Sequence, residues 1–166
     1  MEYIPLPIHL FIHFALAIAV GYVVGRAFKK PELGIMFGIL GGFFIDLDHV
    51  LEYFLVFGLR FNIFDFLDGR QFLASGLVRS WFHAWEYIPG LLLVAWLVRK
   101  NKTAVTVILA LTLGGAVHLA TDSLINNYPL RNYSLVYRYQ VDFQAERLLN
   151  SEQYQEFMEN KLKLSL

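Results

Sequence analysis

Histidine and aspartate residues lie inside the long apolar segments of this chain, where ionisable side chains are rare. A charged side chain at the centre of a bilayer costs roughly 2.5–3.5 kcal/mol even on the gentler insertion scales, so such groups persist when they pair, bind a metal or face water. Imidazole and carboxylate groups are good ligands for borderline and hard divalent metals. The candidate metal ligands are Asp46, His49, His83, His118 and Asp122.

Three further residues are candidates for a role in the same site. His13 shares a helical face with His9, four residues earlier, and Asp48 lies about 200° from Asp46 around an ideal helix. We assign His13 and Asp48 as further ligands or a general base, although Asp48 needs an unwound turn to reach the same centre. Arg79 is a candidate for binding an anionic substrate group, with simple snorkelling as the alternative. His9 lies nearer the membrane boundary and is given no role.

Four apolar stretches are long enough to form the helices that must position these residues. The chain is 57% hydrophobic with a mean hydropathy of +0.47, which is typical of a polytopic membrane protein. A span needs about 20 apolar residues, and the absence of period-two alternation favours helices over barrel strands. We predict an all-α bundle of four transmembrane helices at about 5–28, 31–59, 80–98 and 103–125.

The depth of the ionisable groups predicts one shared site. With a rise of about 1.5 Å per residue, all four predicted helices bring such groups into the same half of the membrane, on the side of both termini. The short hairpins at 26–31 and 99–102 are basic, which favours a cytoplasmic position for them and an extracytoplasmic site.

The rest of the chain is predicted to lie at or outside the membrane surface. Segment 60–79 is rich in Phe and Leu and predicts an interfacial helix or a re-entrant segment. Residues 141–166 form a predicted amphipathic C-terminal helix, apart from a transmembrane domain of residues 1–140. The N-terminus lacks a positive n-region, so no cleaved signal peptide is expected. A formal net charge of zero argues against nucleic acid as a partner, and the lack of cysteine excludes thiolate zinc sites.

The donor set suits several divalent metals. Zn²⁺ is favoured, with Mn or Fe as alternatives, and the number of groups fits two adjacent ions or one ion with many supporting partners. A metal with an open coordination position lowers the pKa of its bound water toward about 7. The leading hypothesis is therefore a membrane-embedded hydrolase, with membrane lipid as its partner and a lipid or amphiphilic phosphoester as its substrate.

Three other functions use the same residues. A non-enzymatic metal or proton carrier would need a polar path continuing across the membrane, of which the sequence shows little. A b-type haem bundle would use the histidines, but three aspartates beside them disfavour haem. A scaffold protein without a functional site would not explain why the ionisable groups lie at the same depth.

At these residues the chain resembles the YdjM-like family, described as LexA-binding, inner-membrane-associated metal-dependent hydrolases. Ile45–His49 is similar to the family's Pro-Asp-x-Asp-His motif, with Ile in place of Pro. His118–Asp122 matches its late His-x-x-x-Asp motif. The His-Arg-Gly-x-Thr-His motif is matched only through Arg79 and His83.

The resemblance covers about residues 8–141. It implies an integral protein of the prokaryotic inner membrane and a metal-dependent hydrolase activity, with His13 as the counterpart of the family's N-terminal His. Val78 stands where the family's central motif has its first His, so any role of that His is absent or moved in this chain.

Overall fold

The computed structural model describes residues Leu6–Leu164, which form helices joined by turns with no β-strand among them. The predicted all-α class is therefore confirmed. Two 3₁₀ turns, at Phe44–Asp46 and Leu130–Tyr133, lie between helices. The helices are α1 Leu6–Ala27, α2 Pro31–Gly42, α3 Leu47–Phe57, α4 Ile63–Leu67, α5 Arg70–Ser75, α6 Tyr87–Leu97, α7 Lys102–Ile125, α8 Leu135–Gln140, α9 Ala145–Leu148 and α10 Ser151–Leu164.

Three segments of the described chain are long and apolar enough to cross a membrane: Leu6–Ala27, Pro31–Phe57 and Lys102–Ile125. Their length and composition indicate association with a membrane. The predicted count of four spanning helices is not confirmed. The segment predicted at 80–98 is helical only over the 11 residues of α6, which at about 1.5 Å per residue is shorter than the roughly 30 Å hydrocarbon core.

The chain immediately before α6 is not helical. The backbone N–H groups of Arg79 and Ser80 donate to the carboxylate of Glu52, at 3.1–3.2 Å, and Ser80 has a positive φ of 37°. A helix beginning at residue 80 is incompatible with this φ. Helix α6 begins only at Tyr87, two residues before Pro89.

The predicted continuous second span is interrupted. Helix α2 ends at Gly42, after a pair of glycines, and α3 begins at Leu47. Phe43 leaves the helical region, with φ −127° and ψ −44°, and Phe44–Asp46 form a 3₁₀ turn. Glycine pairs are common points of helix interruption. The interruption leaves the last carbonyl groups of α2 without partners inside the helix.

The chain divides into two compact units. The first comprises the chain up to Ile45 and His83–Tyr133, and it contains α1, α2, α6 and α7. The second comprises Asp46–Phe82 and Ser134–Leu166. The described part of the predicted tail 141–166 belongs to this second unit.

Glycines let the long helices of the first unit approach closely. A Cβ atom built on Gly38 would lie 2.7 Å from the Gly21 Cα atom, and one on Gly114 would lie 2.6 Å from the Gly38 carbonyl oxygen. No side chain larger than hydrogen fits at these points, so α1, α2 and α7 meet backbone to backbone. Small residues serve the same purpose at many transmembrane helix interfaces. The tight packing fixes which faces of α1 and α7 meet α2.

An aromatic group around Tyr53 forms the centre of the second unit. Tyr53 is buried, and its ring packs at 4.8 Å from Phe57, 5.2 Å from Phe61 and 6.0 Å from Phe66 between centroids. Its hydroxyl oxygen accepts a hydrogen bond from the Asn62 N–H at 3.2 Å. Helix α10 packs against α5, with acidic residues on its exposed face.

Candidate metal centre

The carboxylate of Asp122 lies at the centre of a histidine cluster in the first unit. One oxygen, Oδ1, is 3.1 Å from His9 Nε2 and 3.0 Å from His13 Nε2. The other, Oδ2, is 3.2 Å from His118 Nε2 and 3.6 Å from His83 Nε2. Four imidazole nitrogens therefore face the two oxygens of one carboxylate. We call these five residues the Asp122 cluster.

The imidazoles of the Asp122 cluster also contact one another. The Nε2 atoms of His9 and His13 are 2.7 Å apart, and those of His83 and His118 are 3.1 Å apart. The rings of His13 and His118 stack, with centroids 4.0 Å apart. Each contact brings together ring nitrogens that are good ligands for borderline divalent metals when they are unprotonated. The cluster is therefore a dense set of nitrogen and oxygen donors.

Two helices and one non-helical segment supply the Asp122 cluster. His9 and His13 come from one face of α1, and His118 and Asp122 come from one face of α7, each pair four residues apart. His83 comes from the turn before α6, where the Trp85 N–H donates to the Tyr133 carbonyl at 2.9 Å. The residues of the cluster are thus far apart in the sequence, and the close packing of α1 against α7 brings them together.

The interruption of the second span fixes the tautomer of His118. Its Nδ1 atom lies 3.0 Å from the carbonyl oxygen of Gly42, the last residue of α2. A carbonyl oxygen only accepts, so Nδ1 carries the proton and donates it. In the neutral ring Nε2 then has a lone pair, and that lone pair is on the side of the cluster. Metal-binding histidines are commonly oriented by such a hydrogen bond from the ring nitrogen that does not bind the metal.

The resulting arrangement calls for a cation. The Nε2 lone pair of His118 faces the Asp122 carboxylate, and both groups are acceptors unless a proton or a metal lies between them. Asp122 is 6% exposed and His118 is 1% exposed, so water screens this repulsion poorly. Among the described residues, the ion-pair partners of Asp122 are histidines, with no Lys or Arg.

The donor set of the Asp122 cluster fits a divalent metal. His9, His13 and Asp122 offer ligand atoms within 4.8 Å of one another, and so do His83, His118 and Asp122. Either group could hold an ion. His13 is 1% exposed, and its Nδ1 atom has no hydrogen-bond partner in the described part of the chain. The ligand atoms are imidazole nitrogens and carboxylate oxygens.

The predicted ligands Asp46 and His49 lie in the second unit, each about 30% exposed. The Nε2 atom of His49 is 3.6 Å from Asp46 Oδ1, and its Nδ1 atom is 3.3 Å from Asp48 Oδ1. The imidazole of His49 therefore contacts Asp46 through one ring nitrogen and Asp48 through the other. Their role as metal ligands stays a prediction.

Asp48 has a structural partner that its predicted catalytic role did not include. It is fully buried, and its Oδ2 atom accepts a hydrogen bond from the Phe82 N–H at 2.8 Å. Asp48 therefore holds the backbone immediately before His83 in the chain.

Glu52 is a buried carboxylate to which the sequence analysis gave no role. It accepts the N–H groups of Arg79 and Ser80, and its Oε1 atom is 3.4 Å from the Arg79 guanidinium. The predicted substrate-binding residue Arg79 is therefore paired within the second unit. The spacing of Asp48 and Glu52, four residues apart on one face of α3, was the available signal.

His9 is the other residue that the sequence analysis set aside. It contacts both His13 and Asp122 in the structure, and its side chain is the most exposed of the cluster at 18%. Its position four residues before His13 predicted a shared face. The distance to Asp122, 113 residues later, depends on how α1 packs against α7, which the spacing does not contain.

The chain matches no known protein-family model, no curated protein and no solved structure.

Proposed function

We propose that this protein is a membrane-embedded, metal-dependent hydrolase whose centre is the Asp122 cluster. The observation that carries the proposal is the convergence of four imidazole nitrogens on both oxygens of one buried carboxylate. A polar structural pair needs one histidine and one aspartate. Four histidines around one aspartate, three of them inside apolar helices, exceed that need and match the ligand set of a divalent ion.

The metal would be held by His13, His83, His118 and Asp122, with Zn²⁺ favoured and Mn or Fe as alternatives. When bound, it would supply a Lewis acid and a water of lowered pKa for hydrolysis. The chain would keep His118 in its metal-binding tautomer through the Gly42 carbonyl. It would also exclude bulk water through the burial of His13, His83 and His118.

His9 is the member of the cluster best placed to meet a substrate. Its side chain is 18% exposed, whereas that of His13 is fully buried. We therefore transfer the proposed general-base role from His13 to His9, which would accept a proton beside the metal, and keep His13 as a ligand.

The proposed substrate is a lipid or an amphiphilic phosphoester. His9 lies on α1 among apolar residues that are themselves exposed: Ile8 is 53% and Phe11 is 69% exposed. Exposed apolar residues on a membrane-length helix are suited to contact lipid. A substrate with an apolar part would approach the exposed edge of His9 along this surface.

We also propose how the protein lies in the membrane. Helix α6 would lie in the membrane as a short fourth helix, giving a four-helix bundle in a prokaryotic inner membrane. The Asp122 cluster would lie on the extracytoplasmic side, because the basic hairpins at 26–31 and 99–102 favour the cytoplasm. Membership of the YdjM-like family is proposed on the motifs alone.

The competing functions have less support. A carrier needs polar groups along α7 beyond the cluster, but the hydroxyls of Thr106 and Thr112 donate to carbonyls of their own helix, at 2.7 and 2.6 Å. A haem places its two axial ligands on opposite sides of the iron, whereas the His83 and His118 nitrogens are adjacent. The haem alternative also leaves the shared carboxylate unexplained.

The test is metal content followed by turnover. The full chain would be purified in detergent, and bound Zn, Mn and Fe would be measured by inductively coupled plasma mass spectrometry in wild type and Asp122→Asn. The isosteric amide keeps the shape of the residue but removes its charge, so we expect loss of the metal. Thr121→Ala is the control, because the Thr121 hydroxyl donates to Val117 in its own helix.

Turnover would be measured on phosphoesters with and without acyl chains. We expect hydrolysis of the acylated compounds by wild type and none by Asp122→Asn. His9→Ala should keep its metal and lose most of its activity, which separates the proposed base from the ligands. Equal metal content in wild type and Asp122→Asn would overturn the metal centre, while metal without hydrolysis of any phosphoester would overturn the proposed reaction.

A further inference from the structure

The segment Leu59–Leu67 of the second unit presents a run of large apolar side chains to its surroundings. Leu59 is 94% exposed and Phe64 is 74% exposed, and Ile63 and Leu67 are each about half exposed. Contiguous apolar surface of this kind is uncommon on soluble proteins and marks a contact with a partner or a membrane. We call these four side chains the outer face of the segment.

The outer face is held in place by an inner face of the same segment. Phe61 and Phe66 pack on the buried ring of Tyr53, and the Tyr53 hydroxyl accepts the Asn62 N–H. Asn62 also caps α4, because its side-chain oxygen accepts the Phe64 N–H at 3.0 Å. The outward direction of Phe64 is therefore set by a cap and by aromatic packing on both sides of it.

A polar edge follows the outer face. Arg70 contacts Asp65 at 3.1 Å and Asp68 at 3.7 Å, and Arg60 is exposed beside Leu59. An amphipathic segment with apolar side chains on one face and charges at its edge is the usual form of an element lying in the membrane interface.

The segment is also joined directly to a candidate membrane span. Pro31–Phe57 is long and apolar enough to cross a membrane, and it ends in α3. Gly58, with a positive φ of 67°, terminates α3, so Leu59 comes two residues after the end of the span. A chain that leaves a membrane span by one glycine is still at the depth of the lipid headgroups.

We propose that Leu59–Leu67 is an in-plane anchor that binds the surface of the lipid bilayer. Leu59, Ile63, Phe64 and Leu67 enter the boundary between headgroups and acyl chains, and Arg60 contacts anionic headgroups. Lipid is chosen over a protein partner because the patch continues from a membrane span. The anchor involves no residue of the Asp122 cluster and does not depend on the proposed hydrolase activity.

The test uses the absence of cysteine from the natural chain, which makes any introduced thiol unique. Phe64→Cys and Asp68→Cys would each be made in the full chain, spin-labelled and reconstituted in vesicles of phosphatidylethanolamine and phosphatidylglycerol. Both positions are largely exposed, so neither label should disturb packing. Accessibility would be measured to oxygen, which concentrates in lipid, and to a water-soluble nickel chelate.

We expect the oxygen-to-nickel accessibility ratio to be several-fold higher at position 64 than at position 68. Equal ratios at the two positions, with nickel reaching the position 64 label freely, would overturn the anchor. Strong dipolar broadening between position 64 labels, relieved by dilution with unlabelled protein, would show a second copy of the chain covering the patch and would also overturn it. Far-UV circular dichroism would check that both variants remain helical.

Discussion

The Nδ1 atom of His118 donates a hydrogen bond to the carbonyl oxygen of Gly42, 76 residues earlier in the chain, at 3.0 Å. The donor is part of α7, and the acceptor is the final carbonyl of α2. One contact thus satisfies a helix end and turns a lone pair of the same imidazole toward the carboxylate of Asp122. The interruption of the helix therefore provides the acceptor that orients the ligand.

His118→Ala should abolish metal binding, because it removes a ligand and leaves the Gly42 carbonyl without its donor. His118→Gln tests the two losses separately, since its amide can offer a donor but is a poor ligand beside imidazole. We expect both variants to lose metal and the Ala variant to lose more thermal stability. Metal content and thermal unfolding in detergent measure the two effects, and retention of metal by either variant would contradict the assignment.

His49→Ala tests how many ions the protein holds. The Asp122 cluster supplies enough donor atoms for one ion, whereas His49 contacts Asp46 and Asp48 in the second unit. We expect wild type to bind one equivalent and His49→Ala to keep it. If His49→Ala instead lost all of its metal, the Asp122 cluster would be insufficient by itself.

Gly38→Ala should destabilise the first unit. The added Cβ would lie 2.5 Å from the Ala17 carbonyl oxygen and 2.7 Å from the Gly21 Cα, both of them backbone atoms that cannot rotate away. Overpacking of this kind costs about 1–3 kcal/mol. Gly90→Ala is the matched control, because a Cβ there meets nothing within 4 Å.

Replacing the helical Gly90 by alanine should be neutral or stabilise by up to about 1 kcal/mol. Unfolding by sodium dodecyl sulfate in mixed micelles compares the two variants. An equal effect of the two substitutions would mean that helix propensity, and not the close approach of α1 and α2, sets the stability.

Glu52→Gln should loosen the segment that precedes His83. The carboxylate accepts two backbone N–H groups and contacts the Arg79 guanidinium. The amide of Gln has one acceptor oxygen and adds a buried donor, so we expect a loss of roughly 1–3 kcal/mol. Glu32→Gln is the control, since Glu32 is exposed in the first turn of α2.

Limited trypsin digestion at Arg79 reports the same change directly. Cleavage there should become faster in Glu52→Gln and remain at the wild-type rate in Glu32→Gln. An unchanged cleavage rate in Glu52→Gln would show that other contacts hold Arg79.

Much of the fold could be predicted from the pattern of residues along the sequence. Apolar runs of membrane length predicted α1 and α7 within a few residues, and the spacing of four predicted that His9 shares a face with His13 and His118 with Asp122. These features are local, because a helix repeats every 3.6 residues whatever it packs against.

The features that the sequence did not predict depend on contacts between residues that are far apart in the chain. A helix was predicted from residue 80, but Ser80, whose backbone N–H donates to Glu52, has a positive φ of 37°, and α6 begins at Tyr87. His9 was judged too near the boundary, and only the packing of α1 on α7 brings it to Asp122. The spacing of residues within either segment does not predict these long-range contacts.

The interruption at Gly42 has a consequence for biosynthesis. An unsatisfied backbone carbonyl in hydrocarbon costs several kcal/mol, and the donor for this one is made only when the ribosome has added α7. In a membrane, the candidate span Pro31–Phe57 would therefore enter the bilayer with this carbonyl unpaired, and the carbonyl would gain its partner only when His118 arrives. Nascent chains that end before residue 118 should be held by the insertion machinery longer than chains that include it.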